Sequence, residues 1–203
     1  MDCCFNANIK ILRIDSSARG DGSEARALSD GLIGHIEATA KTTVTHRDLA
    51  VDTPNFLNEA WVGANFTDPD GRSAAQAADL AVSDALVAEL EAEDVIVIGA
   101  PIYNFSIPAV LKAWIDLIAR AKVTFRYGEN GPEGLLKNKK VYVMMASDGV
   151  PTARWIYPRL LSGTFLVLLA LRMWSSFLPP KSKRIRVGWL QRSGPQLHIQ
   201  QAA

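Results

Sequence analysis

The segment Asp94-Val-Ile-Val-Ile-Gly99, followed at once by Ala100-Pro-Ile-Tyr-Asn-Phe-Ser-Ile-Pro108, constrains this chain more than any other. Its first part is a short apolar run rich in β-branched residues, the pattern of a parallel strand buried on both faces. Its second part is a loop with proline at both ends and two aromatics around an amide. Helix-compatible sequence follows over residues 109–120. A buried strand ending in such a loop places the loop at the carboxyl edge of an open α/β sheet, where these sheets bind ligands. Tyr103 and Phe105 are flat rings beside Asn104, a set suited to a planar heteroaromatic ligand.

The same alternation recurs along the chain. Residues 9–14 read as a first strand and 23–38 as a helix, with Ala27, Leu28, Leu32 and Ile36 at helical spacing. Residues 42–46 form a short second strand, and 49–72 a long loop with room for a helical turn. A helix of Ala, Leu and acids covers 73–91, the third strand covers 94–99 and the fourth 140–146. Residues 123–136 make an excursion that includes the turn-rich Glu129-Asn-Gly-Pro-Glu-Gly134. Strands alternating with helices predict a parallel, doubly wound sheet. With no internal repeat or linker, residues 1–203 read as a single domain.

The loop after the first strand is Asp15-Ser-Ser-Ala-Arg-Gly-Asp-Gly-Ser23. Hydroxyls and free backbone N–H groups at a helix start make an anion site. Ser17 and Ser23 are the candidate phosphate contacts, and Arg19 adds charge. The plainer alternative is a loop capped by Ser23 or Asp21. This is neither a Walker motif nor the Gly-x-Gly-x-x-Gly fingerprint, so it does not point to ATP or a tightly bound dinucleotide. Ser147-Asp148-Gly149 follows the fourth strand as a third loop on the same crevice, or as a simple turn. His35, His46 and His198 are scattered without metal spacing. The adjacent pair Cys3 and Cys4 makes no disulfide framework, so a reducing, cytoplasmic setting is expected. No signal peptide is evident. The longest apolar run, residues 165–171, is far short of the roughly 20 residues that span a bilayer.

Taken together, these segments resemble the FMN-dependent NADH azoreductases, a group of flavodoxin-like NAD(P)H quinone reductases. The resemblance is carried by Asp15-Ser-Ser17 with Ser23, by residues 80–99, and by Pro101-Ile-Tyr-Asn-Phe105. It continues through Leu111-Lys-Ala-Trp-Ile-Asp-Leu-Ile-Ala-Arg120, Thr124-Phe-Arg-Tyr127 and Glu129-Asn-Gly-Pro-Glu-Gly-Leu135, covering residues 8 to 150. It implies a three-layer α/β fold with strand order 2-1-3-4-5. It also implies a homodimer holding FMN noncovalently at its interface. NADH or NADPH would give electrons to the flavin, leave, and be replaced by a quinone or azo acceptor. No side chain need act as acid or base, so no catalytic residue is named. By the resemblance Ser17, Ser23, Glu24 and Ala25 bind phosphate. Ile102, Tyr103, Asn104 and Phe105 line the flavin ring, and Ser147, Asp148, Gly149 and Val150 form the last flavin loop. Glu24 and Ala25 depart from neutral polar residues, and Asp148 brings a charge. A flavodoxin-like electron carrier is the alternative, with the loops at 49–72 and 124–135 favouring an enzyme.

The resemblance stops at residue 150. Residues 1–148 hold all 21 acids and 14 of the 22 Lys and Arg, a formal charge of −7, whereas residues 149–203 hold eight bases and no acid. Ordinary domains mix both signs. In the frame starting one base earlier, codons for residues 163–168 can spell Arg-His-Phe-Leu-Gly-Phe and, after one further residue, those for 170–181 can spell Gly-Phe-Ala-Asn-Val-Glu-Phe-Ile-Pro-Ala-Ala-Lys. Those strings resemble the family's helix end and fifth strand. A frameshift near residues 148–155 is therefore expected, which leaves the fifth strand open and admits a nonfunctional product. A genuinely divergent tail, or a basic arm for membranes or nucleic acid, is the other reading. No membrane and no specific nucleic-acid partner is expected.

Overall fold

The computed structural model describes residues 8–104, 106–129 and 131–147, and the backbone of three later strands. Cys3, Cys4, Phe105, Asp148, Gly149, Val150 and residues 160–171 lie outside the described residues.

Four parallel strands form the sheet expected from the sequence: β1 (Ile9–Asp15), β2 (Thr42–Asp48), β3 (Val95–Pro101) and β6 (Lys140–Ala146). Between β3 and β6 lies an antiparallel hairpin, β4 (Phe125–Gly128) with β5 (Gly131–Gly134), in the turn-rich excursion. Beyond β6 the sheet continues through β7 (Arg172–Phe177), β8 (Arg186–Arg192) and β9 (Leu197–Gln201), giving the order β2-β1-β3-β6-β7-β8-β9. β7 runs parallel to β6 and takes the fifth place that the sequence left open. The sequence also did not foresee β8 and β9, which add antiparallel strands.

The helices start where local chemistry allows. α1 (Glu24–Glu37) begins at Ser23, whose Oγ accepts from Arg26 N at 3.4 Å. α2 (Glu59–Phe66) occupies part of the long loop, capped by Asn58 Oδ1 at 2.8 Å from Trp61 N. α3 (Ala74–Ala92) opens on a capping box in which Ser73 and Gln76 satisfy each other's backbone N–H groups. α4 (Ala109–Ile118) follows Pro108 and ends two residues before Arg120.

All seven residues of β3 are buried. Their alternation splits the core into two layers. Leu12, Ile14, Ile96, Ile98, Val141 and Val143 meet Leu80, Leu90, Trp114 and Leu117 of α3 and α4 on one face. Ile11, Val95, Val97 and Met144 meet Leu28 and Ile33 of α1 on the other. The register pairs Asp15 with Gly99 and Pro101 with Ala146, so three loops leave the carboxyl edge at nearly one level.

Candidate functional site

The first loop is anchored to the sheet. Asp15, Ser16 and Ser17 are buried, although a loop this polar would ordinarily be solvated. Ser16 donates from both N (3.2 Å) and Oγ (2.6 Å) to Gly99 O, which fastens the loop to β3. Ser17 Oγ accepts from Arg19 N at 3.2 Å. Gly22 turns the chain at φ +67°, where a Cβ would be strained, and delivers it to the cap Ser23. Glu24 is exposed and Ala25 is buried at the first turn. The N–H groups of that turn have no partner within the helix.

The second loop reaches the first. Ile102 N donates to Ala146 O at 2.9 Å, tying it to the end of β6. Tyr103 and Ser106 exchange both backbone hydrogen bonds, at 2.9 and 3.0 Å. Asn104 stands at the exposed tip with φ +48°, a conformation that asparagine tolerates better than most residues. Tyr103 does not serve as core packing. Its hydroxyl accepts from Ala18 N at 3.2 Å and lies 3.2 Å from Ser17 Oγ. Ser147 follows β6 at the same edge. The structure thus brings together Ser17, Ser23, Glu24, Ala25, Ile102, Tyr103, Asn104 and Ser147. The remaining four expected site residues, Phe105, Asp148, Gly149 and Val150, fall outside the described residues.

Beneath the first loop is a charged cluster that the motifs did not single out. Parallel register sets Asp15 beside Asp48 at the ends of β1 and β2. Arg26 pairs with both, at 3.3 and 2.7 Å. Asp15 Oδ2 also accepts from Arg13 Nε at 2.8 Å and lies 2.8 Å from His46 Nε2. The hydrogen bond from Arg26 holds the Asp48 carboxyl below the usual range, and Asp48 in turn raises Arg26. Gly99 lies against this cluster: a Cβ there would stand 2.9 Å from Asp15 Oδ1 and 3.2 Å from Ser29 Oγ. The available signal was an arginine three residues after the cap and two acids at strand ends.

A second buried guanidinium braces the neighbouring segments. Arg120 donates to Asn65 Oδ1 (2.8 Å), Ser83 Oγ (2.8 Å) and Asp84 Oδ1 (2.7 Å), and lies 5.9 Å from the Trp61 ring centre. Thr124 Oγ1 accepts from Arg120 N at 2.9 Å, which ties the start of the β4–β5 hairpin to the end of α4. Tyr127 projects from that hairpin, exposed, with its ring edge-on to Phe125. Phe56, Leu57, Val62 and Phe66 also expose apolar surface. Among the described residues no cluster of His, Cys, Asp or Glu could hold a metal ion.

Comparison with known proteins places this arrangement. The family model described as the flavodoxin-like fold matches residues 9–159. A protein of Jannaschia sp. (strain CCS1), FMN-dependent NADH:quinone oxidoreductase 1, is 54% identical over 139 residues, 68% of this chain and 70% of the relative. A protein of the same name from Colwellia psychrerythraea is 51% identical over 141 residues, 70% of this chain and 73% of the relative. The crystal structure of an azoreductase from Bacillus anthracis superposes with a TM-score of 0.73 at 26% identity, covering 82% of this chain and 85% of its own.

Proposed function

The chain belongs to the flavodoxin-like family of FMN-dependent NADH:quinone oxidoreductases, and from that premise we propose that it reduces quinones and azo compounds with NADH, using FMN bound at the carboxyl edge of β1, β3 and β6. One observation carries the assignment to this site. The phosphate-type loop and the aromatic loop meet directly, through Ser17 and Tyr103.

The residues present fit the cofactor. Ser17 and Ser23 supply hydroxyls and the first turn of α1 supplies N–H groups, all neutral donors suited to a phosphate. The Glu24 side chain is exposed, so its carboxylate can remain in water. Ile102, Tyr103, Asn104 and Phe105 would line the ring, with Asn104 able to hydrogen-bond its edge. Ser147 to Val150 would close the third side. Held there, FMN would supply the redox chemistry between NADH and a quinone or azo acceptor, which is the cofactor's own. The protein binds the phosphate, orients the ring and shapes the acceptor space. The β4–β5 hairpin and α2, held by Arg120, are suited to wall that space.

A homodimer fits the exposed apolar side chains. Val62 and Phe66 are four apart on α2 and share a face, with Phe56 and Leu57 just before them. A second copy would cover them. The chain is assigned to the cytoplasm on its cysteine usage, and no helix among the described residues is long and apolar enough to cross a membrane.

The test is oxidation of NADH by a quinone or an azo dye, followed as FMN is added. Turnover that saturates with FMN supports the proposal. No turnover at saturating FMN overturns it.

A further inference from the structure

We propose that Arg26 is a positioning residue for the cofactor phosphate: it holds two loop carbonyls so that the adjoining N–H groups face the crevice, and it does not bind the phosphate itself. This rests on the functional reading above.

The argument starts from donor arithmetic. A guanidinium has five N–H groups. Arg26 Nε donates to Arg19 O at 2.8 Å. Nη2 donates to Ser17 O at 3.0 Å and to Asp48 Oδ1 at 2.9 Å. Nη1 meets Asp48 Oδ2 at 2.7 Å and Asp15 Oδ2 at 3.3 Å. Hydrogen bonds take four of the five donors, and Nη1 is further enclosed by its ion pair with Asp48 Oδ2, so the guanidinium is engaged by the protein rather than presented to a ligand. Its charge is also matched by the two carboxylates beside it.

What Arg26 does to the loop follows from peptide planarity. In a trans peptide the C=O and the next N–H point in opposite directions. Ser17 C=O faces Arg26, so Ala18 N–H faces away, and it donates to Tyr103 Oη in the crevice. Arg19 C=O also faces Arg26, so Gly20 N–H is turned outward in the same sense. A Cβ on Gly20 would meet nothing within 4 Å, so the backbone there is open to an approaching group. Arg26 therefore orients neutral donors, and Asp48 orients Arg26.

The two possible roles of Arg26 predict opposite signs for one substitution. If Arg26 met the phosphate as a charge, Asp48→Asn would remove a competing anion and tighten FMN. If Arg26 positions the loop, Asp48→Asn frees the guanidinium and loosens FMN. Asn retains an acceptor for Ala50 N, which Asp48 Oδ1 binds at 3.1 Å. The experiment titrates FMN and riboflavin into the full chain, Asp48→Asn and Arg26→Lys, reading quenching of flavin fluorescence, with circular dichroism to check folding. The expected result is that each variant weakens FMN about tenfold, the scale of one charge-assisted hydrogen bond. Riboflavin, which lacks the phosphate, binds all three chains alike or not at all. Lysine is expected to fail because one ammonium cannot span both carbonyls and both carboxylates. If Arg26→Lys does not fold, the sign for Asp48→Asn decides. Unchanged or tighter FMN binding by Asp48→Asn overturns the proposal, as does an equal loss of riboflavin. A parent chain that binds no FMN overturns the functional reading and this proposal with it, a result distinct from a parent that binds while the variants match it.

Discussion

Ser17 Oγ lies 3.2 Å from Tyr103 Oη, a contact between residues 86 apart in sequence. It joins the loop after β1 to the loop after β3.

That link predicts a stability effect for Tyr103→Phe. The substitution keeps the ring and removes the group that accepts from Ala18 N and pairs with Ser17. The loops are partly solvated, so the loss should be about 1 kcal/mol, the net worth of one ordinary hydrogen bond. Urea unfolding measures it, and an unchanged midpoint would show that the two loops are held independently.

Gly99→Ala should be costlier. The new methyl would sit 2.9 Å from Asp15 Oδ1. Asp15 is fully buried and held by Arg13, Arg26 and His46, so it has little freedom to yield. Overpacking of this kind costs about 1–3 kcal/mol. A melting temperature equal to that of the parent chain would refute the close approach.

Arg120→Ala should loosen α2 from α3, because its side chain bridges the two. Arg120 is only 1% exposed and serves Asn65, Ser83, Asp84 and Trp61 at once. Its removal leaves a cavity and unpaired polar groups, for a loss of about 3 kcal/mol. Asp84 is largely exposed, so its share is small. Limited proteolysis should cut first around α2, in residues 49–72, and an unaltered cleavage pattern counts against the brace.

Acid should act through Asp48. Its folded pKa is lowered, first by the hydrogen bond from Arg26, so the stabilisation is present above the unfolded value and lost as pH falls through the folded one. With an unfolded value near 3.9, stability should hold above about pH 5 and decline below about pH 4. Asp48→Asn should flatten that decline. Parallel acid limbs in the two chains would assign the loss to other carboxylates.

The four parallel strands and their order were legible in the sequence because burial on both faces leaves continuous apolar runs, as in β3. The loops at their ends were legible for the same reason, since topology puts them on one edge. α2 was less visible: its start depends on Asn58 and its place on the burial of Trp61 and Ala64 among mostly exposed residues. The Arg26 cluster was illegible because it depends on the register that sets Asp15 beside Asp48. No spacing along the chain records that neighbour.

The tail gives the last prediction. We expect residues 150–203 to be a frame-shifted replacement of the family's C-terminus. The 141-residue match to the Colwellia relative covers only 70% of this chain, and the family model ends at residue 159. β7, at Arg172–Phe177, falls where the shifted frame spells Asn-Val-Glu-Phe-Ile, the stretch that resembles the family's fifth strand. It pairs with β6, so the outer edge of β6 is covered. The consequence is therefore read in charge and in the third loop of the site. Eight bases without an acid should make the chain adhere to anionic surfaces and nucleic acid in low salt. Ser147 is the last described residue at the carboxyl edge of β6, so a changed continuation after it should lower FMN loading. A chain rebuilt in the shifted frame should be more soluble, elute as a dimer and carry more flavin, seen as yellow colour on purification. Equal solubility and equal flavin content in the two chains, or a coding sequence whose shifted frame does not spell that string, would show the tail to be native.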